Sequence, residues 1–566
     1  MAEQIKNRSK VSPVDTSKDL VYKFANKSIP NVPRTSAGLE AYSGEWGNSQ
    51  ILHLLRRTTF SQRLQDISLL KTKTLKQSVD QLLTAQTLPT PPVKQFTGDD
   101  VELAIGDTWI NAIYNYGINS GVVNSYRKTS LRSWWVGLML NESVNIREKM
   151  TLFWNNHFAT ELDEIDEPKS GYVLNNILRT NALGNFKALT KQITLTPAML
   201  RYLNGYLNSA TAPDENYARE LQELFTLGKG PDSNYTEADV KAAARVLSGW
   251  RINYLTFPPT TFYDNTRHDK TNKQFSSFYN NTVITGKNSI TAGEEELDDL
   301  LKMIFTQEEV SKHICRKLYR WFIYYVIDKN AEDNVIIPLA KIFRDSNYEI
   351  KPVLNALFNS AHFFEFVNIG CVIKNPIDFM ISSFKQYYVA LPEQTNIAVV
   401  YETWRYIYDL AGSMQLKMTD PPNVAGWPAF WQEPQYYELW INSDTFPKRA
   451  QFSDLLISTN GTTRGGFKLV IDPLILVNKL NNPSNPNSLI QELVEYLYPI
   501  SISTDQINFL KTNTLLSGQA SDVYWTDAWN AYKANPTNAA TKKTVTDRLQ
   551  MLLKYMMSGM SEYQLS

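Results

Sequence analysis

Apolar residues along the chain recur at spacings of three and four far more often than they alternate, which predicts helices rather than sheet. From Asn48 onward Ile51, Leu54 and Leu55 keep one face apolar ahead of Arg56 and Arg57, and Phe60 closes the run. A second helix is predicted from Asp66 to Leu83, and Pro89, Pro91 and Pro92 then mark a loop. The stretch from Leu131 to Phe158 reads as helical with an interruption near Asn141 to Asn145. Its second half sets Ile146, Met150, Phe153 and His157 on one face, so His157 is expected to be buried with a partner for each ring nitrogen. Helices follow from Val173 to Arg179, Phe186 to Ile193, Asp214 to Leu227 with Gly228 closing it, and Asp239 to Trp250.

Residues 251 to 293 lose the helical period and read as a long loop with a short hairpin near Val283 to Lys287. Helical spacing returns from Glu294 to Phe305, Ser311 to Val326, Asn334 to Phe343, Pro352 to Leu357 and from Pro376 on. Gly461 to Gly466 and Asn481 to Asn487 read as hinge-like loops before a last helical region ending near Met557. The expected fold is mainly α, a large multi-helix globular array with long irregular loops and at most short β-hairpins. Residues 1–45, polar and broken by Pro13, Pro30 and Pro33, form an arm. Residues 46–460 form the main helical domain, and 461–566 a C-terminal helical region packed on it.

Composition narrows the classes. Hydrophobic residues at 43% and charged residues at 20% are globular proportions. Lys plus Arg equals Asp plus Glu at 57 each, so no net field favours nucleic acid. No apolar run reaches the roughly 18 residues of a membrane span, and the first residues lack an apolar signal core, so the chain reads as cytoplasmic as written. Cys315 and Cys371 are too few for a disulfide framework or a thiolate zinc site and read as buried small hydrophobes. The 12% aromatic content suits carbohydrate or partner binding if it lies on the surface, and core packing if it follows helical stripes.

Three polar segments carry candidate chemistry. In DENYARELQELFTLG, Asn216, Glu220 and Glu223 share one polar stripe beside the apolar Tyr217, Leu221, Leu224 and Phe225, while Arg219 lies four residues from both Glu215 and Glu223. That pattern fits a carboxylate site and equally an ion-paired face. In WNNHF, Asn156 and His157 sit among aromatics, where a neutral imidazole serves as ligand, base or satisfied core residue. In RHDKTNK, His268 and Asp269 point to opposite sides if extended. No P-loop, GxGxxG, HExxH or GxSxG motif is present, and with five histidines any divalent metal ion would be held largely by oxygen.

Taken in order, LLRRTTF (54–60), WNNHF, NALGNF (181–186), PAML (197–200), ENYARELQELFTLG, SGW ending at Trp250, RHDKTNK and PPNVAGWPAFW (421–431) resemble the bacterial family catalogued as domain of unknown function 1800, from about residue 46 to the EYQL at 562–565. The resemblance implies a largely helical protein without an established activity. It also implies relatives that often look exported with a twin-arginine type leader, and gene neighbours similar to alkaline phosphatases and sulfatases, a candidate partner class. This chain lacks such a leader, and has Asp214 where the pattern usually has Asn and Thr271 where many relatives have Gly. The family's polar positions fall on His157, Glu215, Asn216, Arg219, Glu220, Glu223, His268, Asp269 and Lys273. Pro421, Pro422, Gly426, Trp427, Pro428 and Trp431 look like a rigid aromatic turn, either covering a pocket or plugging the space between helices.

Two functions stay open. One is a hydrolase-like enzyme with His157, Glu220, Glu223, His268 and Asp269 as catalytic groups. Asn156, Asn216, Arg219, Lys273, Trp427 and Trp431 would then bind substrate, and His157, Glu220, Glu223 and His268 are the candidate ligands if a divalent metal is used. The other is a helical scaffold or carbohydrate-binding accessory protein. Convergence of the three segments in one pocket would favour the enzyme.

Overall fold

The computed structural model describes residues 34–427 and 439–566, except positions 61, 97, 99, 101, 102, 114–119 and 231. Helices dominate, and the strands form three two-stranded antiparallel hairpins. Several helices start where a short polar side chain takes up a free backbone N–H. Thr74, Asn185, Thr196, Thr236, Asn375 and Asn485 all do this at helix N-termini. The run expected as one helix from Asp66 to Leu83 is two, Leu64–Lys71 and Leu75–Leu82, because Thr74 and Gln77 form a reciprocal cap that restarts the backbone.

One hydrophobic cluster runs from Ile51 to Tyr563. At its centre the helices Ser120–Asn141 and Ile397–Ser413 pack so closely that a Cβ on Gly137 would lie 2.6 Å from the Trp404 ring. The helix Arg147–His157 is buried along nearly its whole length. Its polar residues are matched inside the core: Arg179 grips Glu148 through two hydrogen bonds of 2.7 and 2.9 Å, and the Trp135 indole donates to the same carboxylate at 3.0 Å. A buried charge is tolerated when it is paired in this way.

The segment 251–293 is more ordered than its composition suggests. Trp250–Asn253 pairs with Thr260–Tyr263, and Lys273–Gln274 pairs with Val283–Ile284. The first hairpin takes Trp250 out of the preceding helix, which ends at Val246. The expected hinge at Gly461 to Gly466 is part of a third hairpin, Thr462–Arg464 with Phe467–Leu469, whose turn is Gly465 and Gly466. Cys315 is buried as expected, whereas Cys371 is half-buried with its Sγ near the Ile323 and Asn368 carbonyls; both are free thiols. Among the described residues no helix is long and apolar enough to cross a membrane.

Candidate functional site

The helix carrying Glu220 and Glu223 changes character along its length. Asn216–Glu220 is α-helical, and Leu221–Thr226 widens to a π turn in which Leu227 N bonds back to Gln222 O at 2.9 Å. A π turn shifts all later side chains around the axis, and such insertions concentrate at functional sites. It also leaves carbonyls at the end of the helix without intrahelical donors. Two histidines supply them: His157 Nε2 donates to Phe225 O at 3.1 Å and His313 Nε2 to Leu224 O at 3.2 Å. Gly228, at φ +79°, lets the chain turn away against the His313 ring.

His157 is therefore buried, 1% exposed, in a cage that includes Phe158, Phe186 and Phe225. The expectation of a partner for each nitrogen holds only for Nε2, since Nδ1 has none. Burial, then the charges of Lys317 and His313, hold the imidazole well below its ordinary range, so it is neutral with the proton on Nε2.

Ion pairs occupy most of the polar stripe. Arg219 bonds Glu237 at 2.6 Å and Glu215 at 3.3 Å, and Lys229 pairs with Glu223, which also accepts from the Tyr235 hydroxyl at 3.4 Å. The pairing of Arg219 with Glu223 that the spacing allows is replaced by these two. Glu220 stands apart, because its Oε2 is buried without a hydrogen-bond partner. Burial first, and the neighbouring Glu223 second, push its carboxyl up to about 7, against the pull of Lys229 and Arg219. The Tyr202 hydroxyl, raised by burial and by the Glu161, Glu164 and Glu220 carboxylates, donates to Glu161 at 2.9 Å. Asn216 is exposed at the start of the helix.

His268, Asp269 and Lys273 form a second cluster. His268 Nδ1 faces Ser248 O at 2.9 Å and its Nε2 faces Glu296 Oε1 at 3.1 Å, while Lys273 Nζ meets Glu296 Oε2 at 2.5 Å. All three side chains are fully buried. Burial alone would raise the Glu296 carboxyl, but the bonds from His268 and Lys273 hold it below the usual range. Asp269 points the other way to Arg245 Nε at 2.6 Å; the bonds from Arg245 and Thr271 overcome its burial and pull it down to about 2.

The structure thus joins His157 to the helix 216–226 through a backbone carbonyl. Among the described residues no hydrogen bond or ion pair connects His268, Asp269 or Lys273 to Glu220 or Glu223. The link is indirect: the helix Glu237–Val246 packs beside Asn216–Glu220 and carries both Glu237, bound to Arg219, and Arg245, bound to Asp269. Of the four candidate ligands, each histidine has its Nε2 on an oxygen, His157 on Phe225 O and His268 on Glu296. No group of three or more His, Cys, Asp or Glu among the described residues is arranged to hold a metal ion. Asn156 faces elsewhere and clamps the PPNVAGW turn, accepting from Trp427 N at 2.6 Å and donating to Trp427 O at 3.2 Å. Gly426, at φ +87°, is required there because a Cβ would collide with Asn156 Oδ1. Pro428 and Trp431 lie outside the described residues.

A family model, described as protein of unknown function (DUF1800), matches residues 53–565. The chain belongs to that family. No curated protein and no solved structure matches it. Within the DUF1800 chain, sequence reasoning missed Glu237, Lys229, Tyr235 and Glu296, the residues that complete the two clusters. Glu296 is one of five acidic residues between 294 and 299, and only the buried helix face distinguishes it, a signal that the apolar Leu297, Leu300 and Leu301 supply.

Proposed function

We propose that the protein is an enzyme in which the Glu220 carboxyl transfers a proton, with hydrolysis as the least specific reaction that fits. The observation that carries this reading is that Glu220 alone among the charged groups of its helix has a buried oxygen without a partner, while Glu223 beside it is bound to Lys229. Two neighbouring carboxyls, one buried without a partner and one held by an ammonium, divide naturally into a proton donor and a charge stabiliser. Glu220 would hold the proton near neutral pH and deliver it to a leaving group, and Glu223 would stabilise developing positive charge. His157 fixes the end of the helix. His268, Asp269 and Lys273 secure the loop, and Asn216 and Arg219 would contact the substrate. The test is a panel of chromogenic esters, phosphoesters and glycosides assayed with wild type and Glu220→Gln. Turnover that falls at least about a hundredfold in a folded variant supports the reading; undiminished turnover overturns it.

The ion pairs from Glu215 to Glu237 favour a second reading, a scaffold whose polar stripe is internal glue. The hairpin bearing Tyr254, Leu255 and Phe262, all exposed, would then be the surface for carbohydrate or a phosphatase-like or sulfatase-like protein partner. A panel without turnover, together with loss of carbohydrate or partner retention on Leu255→Asp, would support it.

A further inference from the structure

Away from Glu220, a small pocket opens among Arg56, Arg57, Lys149, Asn156, Asp378 and Trp427. Arg56 and Arg57 are adjacent on the helix Asn48–Thr58, and they are only 4% and 3% exposed. Each spends one guanidinium nitrogen on backbone carbonyls: Arg56 Nη2 on Tyr496 O at 2.8 Å, and Arg57 Nη2 on Ile323 O and on Asn368 O at 3.3 Å. Arg57 Nη2 also lies 3.3 Å from Cys371 Sγ. The Nε of each is buried with no acceptor. Neither arginine has an ion-pair partner among the described residues: Asp378 in the lining is bound by Lys149 and by Asn375 Nδ2 at 2.8 Å, and the backbone carboxyl of Ser566, also in the lining, pairs with neither arginine.

Further basic side chains lie behind, although burial and then the neighbouring Arg56 and Arg449 pull the Lys374 amine well below its ordinary range. Lys374 and Arg449 are buried, with Nζ of the first on Tyr563 O at 2.8 Å and Nη2 of the second on Lys374 O at 2.7 Å. The amino end of the helix Pro376–Gln386 is at the pocket wall through Asn375 and adds a positive dipole end. Carbonyl dipoles satisfy part of the hydrogen-bonding capacity of these groups but do not cancel their charge. An unpaired buried cation is costly, and burial alone pulls Arg56 down to about 9. Trp321, Trp427 and Trp440 form the apolar wall.

We propose that this pocket binds a small ligand bearing an oxyanion, a phosphate or a carboxylate, with the anion against Arg56 and Arg57 and an apolar body against the tryptophans. A planar guanidinium offers a fork of N–H donors that matches both oxyanions, and two side by side supply the missing countercharge. The pocket takes up Asn156 and Trp427, which the sequence had grouped with the substrate-binding residues, but it does not include Glu220, Glu223 or their ion-pair partners.

The test is titration of tryptophan fluorescence and thermal midpoint in the full chain with inorganic phosphate and, separately, with benzoate, the ionic strength held constant with sodium chloride. A saturable response to either anion is expected, and which one acts assigns the oxyanion. Two charge variants then move the affinity in opposite directions: Lys149→Gln leaves Asp378 uncompensated and weakens binding by about tenfold, whereas Asp378→Asn frees Lys149 and tightens it. Arg57→Gln should abolish binding, but it also strips donors from two carbonyls. The opposed pair therefore decides the matter if that variant does not fold. Wild type that responds to neither anion, or a response unaltered in both charge variants, overturns the proposal.

Discussion

A carboxyl that titrates near 7 in the fold and near its ordinary 4.5 outside it holds more protons in the native state between those values. Stability then falls as pH rises through that window, and the cost is complete above about 7. For Glu220, partly open to water, the effect after solvent screening is on the order of 1 to 2 kcal/mol. Glu220→Gln removes the titration, so the variant should be more stable than wild type near pH 8 by about that amount and nearly equal to it near pH 5, as read by urea unfolding at each pH. An offset of the same size at both pH values would show that Glu220 does not titrate there. At this scale the sequence was readable where chemistry is local. The apolar spacing from Ile146 to His157 announces a buried imidazole, and the four-residue step from Glu215 to Arg219 announces an ion pair. It was opaque where the partner arrives from another part of the chain. Nothing near Arg219 points to Glu237, and nothing near His157 points to the carbonyl of Phe225.

Those distant partners act on whole elements. The π turn at Leu221–Thr226 ends in carbonyls that His157 and His313 satisfy, so His157→Phe should leave the Phe225 carbonyl buried without a donor and cost about 1 to 3 kcal/mol. His157→Gln, which keeps an N–H donor, should recover part of it. The buried triad of His268, Lys273 and Glu296 ties the hairpin strand Lys273–Gln274 to the helix Ala292–Ile304. Lys273→Met takes the ammonium from a buried carboxylate that His268 and Lys287 N still face and should cost about 3 kcal/mol, whereas Lys273→Met with Glu296→Gln should cost clearly less than the sum of the two single changes. Strict additivity in denaturant melts would mean that the pair does not act as a unit. Helix periodicity located most elements because a buried stripe is written into consecutive turns. It could not show the widened turn, which conserves residue type while shifting direction, nor the hairpin Trp250–Tyr263, whose polar and aromatic residues pair through the backbone.

At the scale of the molecule, the continuity of the hydrophobic cluster determines whether residues 461–566 behave as a unit of their own. Tyr563 is the place to ask. It is fully buried, its hydroxyl meets Ser383 at 2.9 Å, its ring lies 5.9 Å from Phe379, and its carbonyl takes the Lys374 ammonium at 2.8 Å. Next to it Gln564 accepts from Arg449 at 3.1 Å and its carbonyl accepts from Lys374 N at 2.8 Å. These contacts run from the end of the chain into the helix Pro376–Gln386 and the wall of the cationic pocket, so the two regions share both apolar area and charge compensation. Removing a buried aromatic ring costs about 3 to 5 kcal/mol wherever the site cannot collapse around the void. If the regions are energetically one body, Tyr563→Ala should lower a single calorimetric transition for the whole protein and weaken anion binding in the pocket with it. If residues 461–566 fold independently, the same change should split the trace, with an early transition for the C-terminal part and an unshifted one for the remainder, and the Glu220 titration should persist through the first.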